Sequence, residues 1–256
     1  MSHNLEGKTA IVTGGANGIG FAIAQHLSDA GANVVVADLD AAAAQAAADQ
    51  LANATAIACD VRDEEQVKSL VEQTVATYGA LHVMVPNAGI GDFSPIVELD
   101  LKTWRHLMSV NLDGVFLSIR YAAPAIIASG GGTIVNVASV TALAGTPLIG
   151  TYSASKAAVV NLTKTAAIEL RAHGVRVNAV LPGFIETQLV TAQVQGFEEK
   201  LGLPEGGFAG MIAQGQGRFG TVDEVAKAVL FLAGEDSSFC NGSGVVLDGG
   251  LNAGLF

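Results

Sequence analysis

The sequence predicts an α/β fold: a single doubly wound domain with a parallel sheet of about seven strands and helices on both faces. The first observation is that short β-branched runs alternate with longer helical patterns along the 256 residues. The second is that these runs are apolar on consecutive residues, which indicates strands covered on both faces. The third is that no linker, charge run or internal repeat divides the chain. Residues 1–256 are therefore expected to form one domain.

The strands are expected where the apolar runs lie. These runs are Thr9–Thr13, Asn33–Asp38, Ala54–Asp60, Leu81–Pro86, Gly132–Ser139, Val175–Leu181 and Gly244–Asp248. The helical patterns between them are Gly18–Ala30, Ala41–Leu51, Asp63–Tyr78, Leu101–Ser129, Thr151–His173 and Val222–Ala233. The fourth of these helical patterns is long enough that a break is expected within it. Strict alternation of strand and helix is typical of parallel strands joined by crossover helices.

Composition and charge exclude several classes of protein. Half of the residues are hydrophobic and only 14% are charged, which is too apolar for a disordered chain. There are 13 Lys and Arg residues against 24 Asp and Glu, and the net charge of −11 disfavours nucleic acids and anionic membranes as partners. We find no run of about 18 apolar residues and no signal-peptide pattern, so we expect a cytoplasmic protein.

Neither a metal site nor a disulfide is expected. The five histidines have no ligand spacing, and Cys59 and Cys240 lie far apart with no C-x-x-C pattern. Both cysteines are expected to be buried as small apolar side chains.

A glycine-rich loop follows the first strand. It reads Thr13-Gly-Gly-Ala-Asn-Gly-Ile-Gly20 and leads directly into a predicted helix. Glycine permits positive φ and close approach of the backbone to a pyrophosphate, and the helix N-terminus favours negative charge. The loop therefore predicts a dinucleotide-binding turn made by Gly14, Asn17, Gly18, Ile19 and Gly20.

The second strand ends at an acidic residue, Asp38, which is followed by Leu39. A carboxylate at this distance from the glycine loop accepts hydrogen bonds from both hydroxyls of an adenosine ribose and repels a 2′-phosphate. No Arg or Lys occupies positions 15–17 or 39–40. We therefore expect NAD(H) as the cofactor in preference to NADP(H). The alternative is that Asp38 caps the helix that begins at Ala41.

Residues 187–217 do not follow the strand–helix alternation. Seven glycines are interspersed there with large apolar side chains, which include Phe197, Phe208, Met211 and Ile212. A long glycine-rich insertion in a compact domain is usually functional or mobile. We predict a lid that covers the substrate, and an ordinary surface excursion is the alternative.

Several motifs in order make the sequence resemble the classical short-chain dehydrogenase/reductase family, which has a Rossmann-type fold. The resemblance covers essentially the whole chain. Its elements are the glycine loop, Asp60-Val61, Pro86-Asn87-Ala88-Gly89, Asn111, Ser139, the Tyr152-Ser-Ala-Ser-Lys156 motif and the segment Leu181–Thr187. One departure is Pro86 in place of an asparagine, which removes a side-chain amide and an N–H beside the cofactor.

The resemblance implies roles for individual residues. Asn111, Ser139, Tyr152 and Lys156 are the implied catalytic residues, with Asn111 anchoring a water that connects Lys156 to solvent. Tyr152 and Lys156 also contact the cofactor. The remaining implied cofactor contacts are Asp60, Val61, Asn87, Ala88, Gly89, Pro182, Gly183, Ile185 and Thr187. The family is also typically homotetrameric, which would suit the small residues of helix 151–173 and the apolar end Leu251–Phe256. The alternative is that this tail packs on its own subunit.

The Tyr152–Lys156 spacing suits proton transfer. Residues four apart on a helix project from one face, and a nearby ammonium favours the phenolate of a tyrosine, whose pKa is ordinarily about 10. Tyr152 would exchange the proton with the substrate oxygen while Ser139 holds that oxygen.

We therefore expect an NAD(H)-dependent oxidoreductase that interconverts a secondary alcohol and its ketone. The expected substrate is small to medium, apolar or alicyclic, in a pocket formed by 91–94, 140–148, Phe184 and the lid. One alternative is a reductase of 3-oxoacyl thioesters. Another, of a different class, is a non-catalytic NAD-binding regulator.

Overall fold

The computed structural model describes residues 4–254, and within them one sheet of seven parallel strands dominates. Its strand order is β3-β2-β1-β4-β5-β6-β7. The chain builds the sheet outward from β1 in one direction and then from β4 in the other, so the fold is doubly wound. The predicted fold class is confirmed.

The strands agree closely with the apolar runs of the sequence. They are β1 Thr9–Thr13, β2 Asn33–Asp38, β3 Ala54–Ala58, β4 Val83–Val85, β5 Gly132–Val137, β6 Val175–Pro182 and β7 Gly244–Leu247. Four predicted strands, those that become β3, β4, β5 and β7, are shorter in the structure than in the prediction. The residues missing from their carboxyl ends, such as Asp60 and Ser139, belong to the loops that follow.

The helices found within residues 4–254 include all those expected from the helical patterns. They are α1 Gly18–Asp29, α2 Ala41–Ala48, α3 Glu64–Tyr78, α4 Leu101–Met108, α5 Gly114–Ala128, α6 Gly150–Leu170, α7 Gln188–Thr191, α8 Val194–Leu201, α9 Gly207–Gln216 and α10 Val222–Ala233. Single turns of 3₁₀-helix lie at Val140–Ala142, Arg171–His173 and Glu235–Ser237.

The hydrophobic core has two halves, one on each face of the sheet. On one face Ile11 packs with side chains of α3, α5 and α6, including Leu70 and Ile126. On the other face its neighbour Val12 packs with α1, α2 and α10, including Leu27. Adjacent strand residues point to opposite faces, so consecutive apolar residues supply both halves. Burial of each large apolar side chain stabilises the fold by roughly 1.5–3 kcal/mol.

The two edge strands depart from the prediction of full burial. Residues of β3 are mostly half-buried, and those of β7 alternate between exposed and half-buried. The helix layers taper towards the ends of the sheet, so the outermost strands have incomplete cover. One of the two cysteines, Cys59, is buried as expected, whereas Cys240 is half-buried, and both are free thiols.

The long helical pattern is interrupted as expected, although the chain never leaves a helical path. A π-helical turn at Ser109–Asp113 joins α4 to α5. The joined helices, Leu101–Ala128, are long and apolar enough to cross a membrane by length and composition alone. Half of the apolar 18-residue stretch within these helices is buried inside the domain, where α5 packs on α3, α6 and β5. This is the arrangement of a core helix.

Residues 187–217, which do not follow the strand–helix alternation of the sequence, fold into the helices α7, α8 and α9. Phe197, Phe208 and Ile212 are buried in a small separate core. The rings of Phe197 and Phe208 lie 5.0 Å apart at 64°, an edge-to-face arrangement favoured by aromatic quadrupoles. Two of the glycines lie at helix ends, where Gly202 (φ +65°) ends α8 and Gly206 (φ +78°) precedes α9.

Helix α10 offers a test of local stabilisation. Thr221 Oγ1 accepts from Glu224 N at 3.2 Å, and Glu224 Oε2 accepts from Thr221 N at 2.8 Å. T221A removes half of this capping box and is expected to lower the free energy of unfolding by about 1 kcal/mol. The control T77A replaces an exposed threonine inside α3, where alanine is the better helix former. Equal urea midpoints for wild type and T221A would contradict the assignment.

Candidate active site

The glycine loop after β1 is held by the segment after β4. Asn87 Nδ2 donates to the carbonyls of Thr13 and Gly14, both at 3.0 Å. In return Thr13 Oγ1 accepts from the N–H groups of Asn87 and Ala88 at 3.0 and 3.2 Å. A Cβ at Gly20 would lie 2.0 Å from Gly14 O, so glycine is required where α1 begins against the loop.

The carboxylate of Asp38 lies beside the same loop. Its Oδ2 accepts from Ala16 N at 3.2 Å and its Oδ1 from Asp40 N at 3.2 Å. The N-cap of α2 is Asp40, whose Oδ1 accepts from Ala42 N at 2.9 Å and Ala43 N at 3.0 Å. The interpretation of Asp38 as the helix cap is therefore wrong, and its carboxylate faces the cleft.

A charged cluster that the sequence reasoning missed lies after β3. Arg62 holds the carboxylate of Asp60 through Nε (2.9 and 3.0 Å) and Nη2 (2.5 Å). This contact lowers the pKa of Asp60. Arg62 Nη1 also lies 3.3 Å from His106 Nδ1 on α4. The Asp60–Arg62 contact could have been predicted, because the two residues are close in sequence. The contact with His106 could not, because it joins residues that are 44 positions apart.

These segments line one cleft of about 620 Å³ at the carboxyl ends of the strands. It lies where the strand order reverses, the usual ligand position in doubly wound sheets. The structure brings every residue expected to bind the cofactor to this cleft: Gly14, Asn17, Gly18, Ile19, Gly20, Asp38, Leu39, Asp60, Val61, Asn87, Ala88, Gly89, Tyr152, Lys156, Pro182, Gly183, Ile185 and Thr187. Lining residues that were missed are Cys59, Arg62, Ile90, His106, Val110, Val137, Ala138, Gln188 and Val190.

Ser139, Tyr152 and Lys156 lie together at one end of the cleft. Ser139 follows β5, and its Oγ accepts from Thr141 N and Thr141 Oγ1 at 3.3 and 3.1 Å. Lys156 is buried one helical turn after Tyr152, with Nζ 5.6 Å from the centre of the tyrosine ring. Its Nζ donates to Val137 O at 2.9 Å. The arrangement presents a phenol, a hydroxyl and an ammonium to one small volume.

Burial dominates the electrostatics of this end of the cleft. It lowers the pKa of Lys156 to about 8. It also raises the pKa of Tyr152, with a hydrogen bond to Ser139 acting in the opposite direction. The expectation that Lys156 holds the pKa of Tyr152 low is therefore wrong for the protein alone. The ammonium is directed at a backbone carbonyl, and desolvation of the phenolate outweighs it.

Asn111 is not among the cleft-lining residues and lies fully buried in the π-helical turn. Its Oδ1 accepts from Ile90 N and its Nδ2 donates to Ile90 O, both at 2.9 Å. Nδ2 also donates to Ser155 Oγ at 3.3 Å, and Ser155 Oγ donates to Tyr152 O at 2.7 Å. Asn111 thus ties the segment after β4 to the helix that carries Tyr152 and Lys156.

The segment after β6 is anchored by Gln216, another residue that sequence reasoning missed. Its Oε1 accepts from Phe184 N, and its Nε2 donates to Phe184 O and Arg218 O, all at 2.8 Å. A Cβ at Gly183 would lie 2.3 Å from Gln216 Oε1. The last residue of α9 therefore fixes the segment that follows β6.

Comparison with known proteins identifies the family. A family model described as Enoyl-(Acyl carrier protein) reductase matches residues 14–252. The crystal structure of a short-chain type dehydrogenase/reductase from Mycobacterium marinum superposes with a TM-score of 0.91, at 34% identity over 98% of both chains. The chain belongs to the short-chain dehydrogenase/reductase family.

Two curated relatives of this short-chain dehydrogenase/reductase carry names of specific activities. Cyclohexanol dehydrogenase of Acinetobacter sp. (strain SE19) is 41% identical over 97% of this chain and 96% of its own. Cis-4-hydroxycyclohexanecarboxylate dehydrogenase of Sinomonas cyclohexanicum is 41% identical over 96% of this chain and 97% of its own. The family and these relatives show that the chain is an oxidoreductase of the dehydrogenase type.

The cleft fits the nicotinamide dinucleotide that this family implies. The loop has positive φ at Gly14 and Gly18 (+61° and +54°), a backbone that glycine adopts without strain. The N-terminus of α1 opens at Gly18 on the cleft and favours the charge of a pyrophosphate. At the other end, a Cβ at Gly89 would lie 3.6 Å from Lys156 Nζ. The bare backbone there keeps the space in front of the ammonium open.

The buried lysine of this short-chain dehydrogenase/reductase makes stability depend on pH. The pKa of Lys156 is about 8 in the folded protein and 10.5 in the unfolded chain. The full cost of burying the ammonium therefore lowers the stability of the folded state below pH 8. The penalty is lost as the pH rises from 8 to 10.5. K156M is therefore expected to be more stable than wild type by an amount that shrinks by about 3 kcal/mol across this window.

The measurement is urea unfolding of both proteins at pH 7 to 10.5. Taking the difference between K156M and wild type cancels the titration of other groups, such as Cys59, whose pKa burial raises to about 11. K164M, which removes an exposed lysine of the same helix, serves as the control and should show a constant difference. A constant difference for K156M as well would contradict the buried charge.

Proposed function

We propose that this protein is an NAD(H)-dependent oxidoreductase that interconverts a secondary alcohol and its ketone. One observation carries the proposal: Tyr152, Ser139 and Lys156 meet at one end of a cleft whose walls carry all the residues expected to bind the dinucleotide. A pure NAD-binding regulator would gain nothing from a half-buried phenol beside a buried ammonium. Such perturbed groups in a cleft are typical of catalysis.

Proton transfer is assigned to Tyr152. Bound nicotinamide supplies the hydride acceptor or donor. Tyr152 removes the hydroxyl proton of the alcohol, or returns a proton to the ketone oxygen in reduction. Ser139 holds the same oxygen by a hydrogen bond that strengthens as negative charge develops. Lys156 holds the nicotinamide ribose and supplies positive charge, and Asn111 supports the relay that connects Lys156 to solvent.

Two contacts support NAD(H) over NADP(H). The carboxylate of Asp38 is oriented by Ala16 N beside the glycine loop, where it would accept from ribose hydroxyls and repel a 2′-phosphate. The one arginine among the described residues that line the cleft is Arg62. Its guanidinium is engaged by the Asp60 carboxylate. A 2′-phosphate would therefore lack a free guanidinium at this end.

The substrate is proposed to be an apolar, alicyclic alcohol. Residues 187–217 act as a lid, and its contacts with the rest of the chain include pairs of aromatic rings. The ring of Phe208 lies 5.4 Å from that of Phe184, and the ring of Phe197 lies 5.5 Å from that of Phe93. The names of the two curated relatives denote substrates that carry an alcohol on a cyclohexane ring. Substrates of this kind agree with an apolar pocket.

A reductase of 3-oxoacyl thioesters is the second candidate, because a relative from Thermotoga maritima named 3-oxoacyl-[acyl-carrier-protein] reductase is 38% identical over 96% of this chain and 98% of its own. Such an enzyme would dock an acidic carrier. The cavity of about 840 Å³ between α7, α8 and α9 is lined by four glutamates, namely Glu186, Glu198, Glu199 and Glu205. This surface, together with a net charge of −11, favours the alcohol. Turnover of acetoacetyl-CoA but of no cyclic alcohol would reverse the choice.

We further propose that the protein works in the cytoplasm as a homotetramer. Large apolar side chains that are exposed on the single chain support assembly, among them Ile96, Val97, Ile168 and Phe239. Of the apolar end 251–256, residues 255 and 256 lie outside the described residues. Sedimentation at micromolar concentration tests the assembly, and a stable monomer would contradict it.

Removal of the phenolic hydroxyl tests the chemistry. Y152F is expected to lower kcat for NADH formation from cyclohexanol by about 10² to 10⁴-fold, because the proton acceptor is lost. The Kd for NADH, measured by fluorescence, should change less than threefold. The control is Y121F, which removes a hydroxyl that donates to Glu64 Oε1 at 2.6 Å on the surface. If Y152F retains half of the wild-type rate, the assignment of Tyr152 is wrong.

Substitutions at two neighbouring aspartates, Asp38 and Asp40, distinguish an effect on cofactor choice from an effect on helix capping. D38A is expected to lower the ratio of kcat/KM for NAD to that for NADP by at least tenfold, since the ribose acceptor and the repulsion are both lost. D40A removes the cap of α2 and is expected to lower the free energy of unfolding by about 1 kcal/mol without moving that ratio. Equal wild-type rates with both cofactors would refute the role of Asp38.

A further inference from the structure

Leu148 has an unusual backbone. Among residues 4–254 it is the one non-glycine residue with φ in the left-handed region, at +68°. This region crowds the Cβ of an L-residue, whereas glycine adopts it freely. Such strain persists only where the surroundings hold it, and it concentrates at functional sites. Leu148 lies between Ser139 and Tyr152, two residues before α6 begins.

Backbone contacts explain the left-handed conformation of Leu148, but they do not explain why a leucine side chain is present there. Ser94 N donates to Leu148 O at 2.8 Å, and Ser94 pairs with Ile149 in a short parallel bridge. These bonds join Phe93–Ser94 to Leu148–Ile149, and we call the joined segments the docking platform. A glycine at 148 would make the same backbone bonds with less strain, so the leucine side chain has a separate use.

That side chain packs against the lid. Leu148 and Phe93 both lie against the small core of buried Phe197, Phe208 and Ile212, which α8 and α9 supply. The ring of Phe93 meets that of Phe197 edge-on at 86°. A polar contact adds to these, since Lys200 Nζ of α8 donates to Phe93 O. The lid therefore rests on the docking platform through Leu148 and Phe93.

We infer that Leu148 is a positioning residue that holds the lid, residues 187–217, over an apolar substrate beside Tyr152. The inference rests on the proposed function for the identity of the substrate. Leu148 is not among the described residues that line the cofactor cleft, so it acts through the lid. The strained backbone turns an apolar side chain towards α8 and α9, and the lid contacts in turn determine how tightly an apolar ring is held.

Two substitutions at one position separate the side chain from the backbone. L148A removes the side chain and keeps the strain, and L148G removes both. Both are expected to raise KM for cyclohexanol about tenfold with kcat within twofold of wild type. Both should also speed amide hydrogen exchange in residues 194–216 at least tenfold. L148G should have the higher Tm of the two, because glycine accepts φ +68° without strain.

The control is L101A, at an exposed leucine that begins α4 and lies outside the expected pocket, which should change neither KM nor exchange in the lid. Wild-type exchange in residues 194–216 of L148A overturns the inference, whatever the KM. A loss of kcat at unchanged KM also overturns it, since Leu148 would then be holding Tyr152 instead of the lid. If wild type oxidises no alcohol, the proposed function fails, while the exchange measurement still decides the role of Leu148.

Discussion

The hydrogen bonds between the glycine loop and Asn87 hold together the two halves of the molecule at the cleft. The loop belongs to the half built outward from β1, and Asn87 to the half built outward from β4. Four bonds join them, two from the side-chain amide and two to Thr13 Oγ1. Strand order reverses at this point, where the crossover helices diverge to opposite faces and leave a crevice. Since β1 and β4 pair within the sheet, these bonds extend the connection beyond the strand ends and fix the two walls of the crevice relative to each other.

A buried ammonium on α6 is the second constraint, and polar groups lie close around that helix. Lys156 lies in the core at 3% exposure, where an unpaired charge is costly. The carbonyl of Val137 offsets part of this cost. The chain from Ile90 through Asn111 and Ser155 to the Tyr152 carbonyl then fixes the first turns of α6. The same desolvation that lowers the pKa of Lys156 raises the pKa of Tyr152.

Much of this architecture was predictable because its determinants are local. Apolar runs identified all seven strands, and the Tyr152–Lys156 spacing identified the helical face that carries them. The features that were missed depend on contacts between distant segments. Gln216 fixes Phe184 from 32 residues away, and His106 on α4 reaches Arg62 in the loop after β3. The helices within residues 187–217 were not predicted, because glycines are frequent there, and no local pattern could reveal that Phe197 and Phe208 would share a core.

The π-helical turn at Ser109–Asp113 has a consequence for how this chain tolerates insertions and deletions. A π turn contains one residue more than an α-helical turn, and each α-helical residue advances the chain by about 100° around the axis. The π-helical turn therefore takes up one additional residue without changing the direction in which α5 faces. An extra or missing residue within α5 itself would instead rotate the helix beyond it by that angle, and buried side chains that follow, such as Ile126, would face away from α3 and the sheet. The turn is thus the part of Leu101–Ala128 that best accommodates a change of one residue in length.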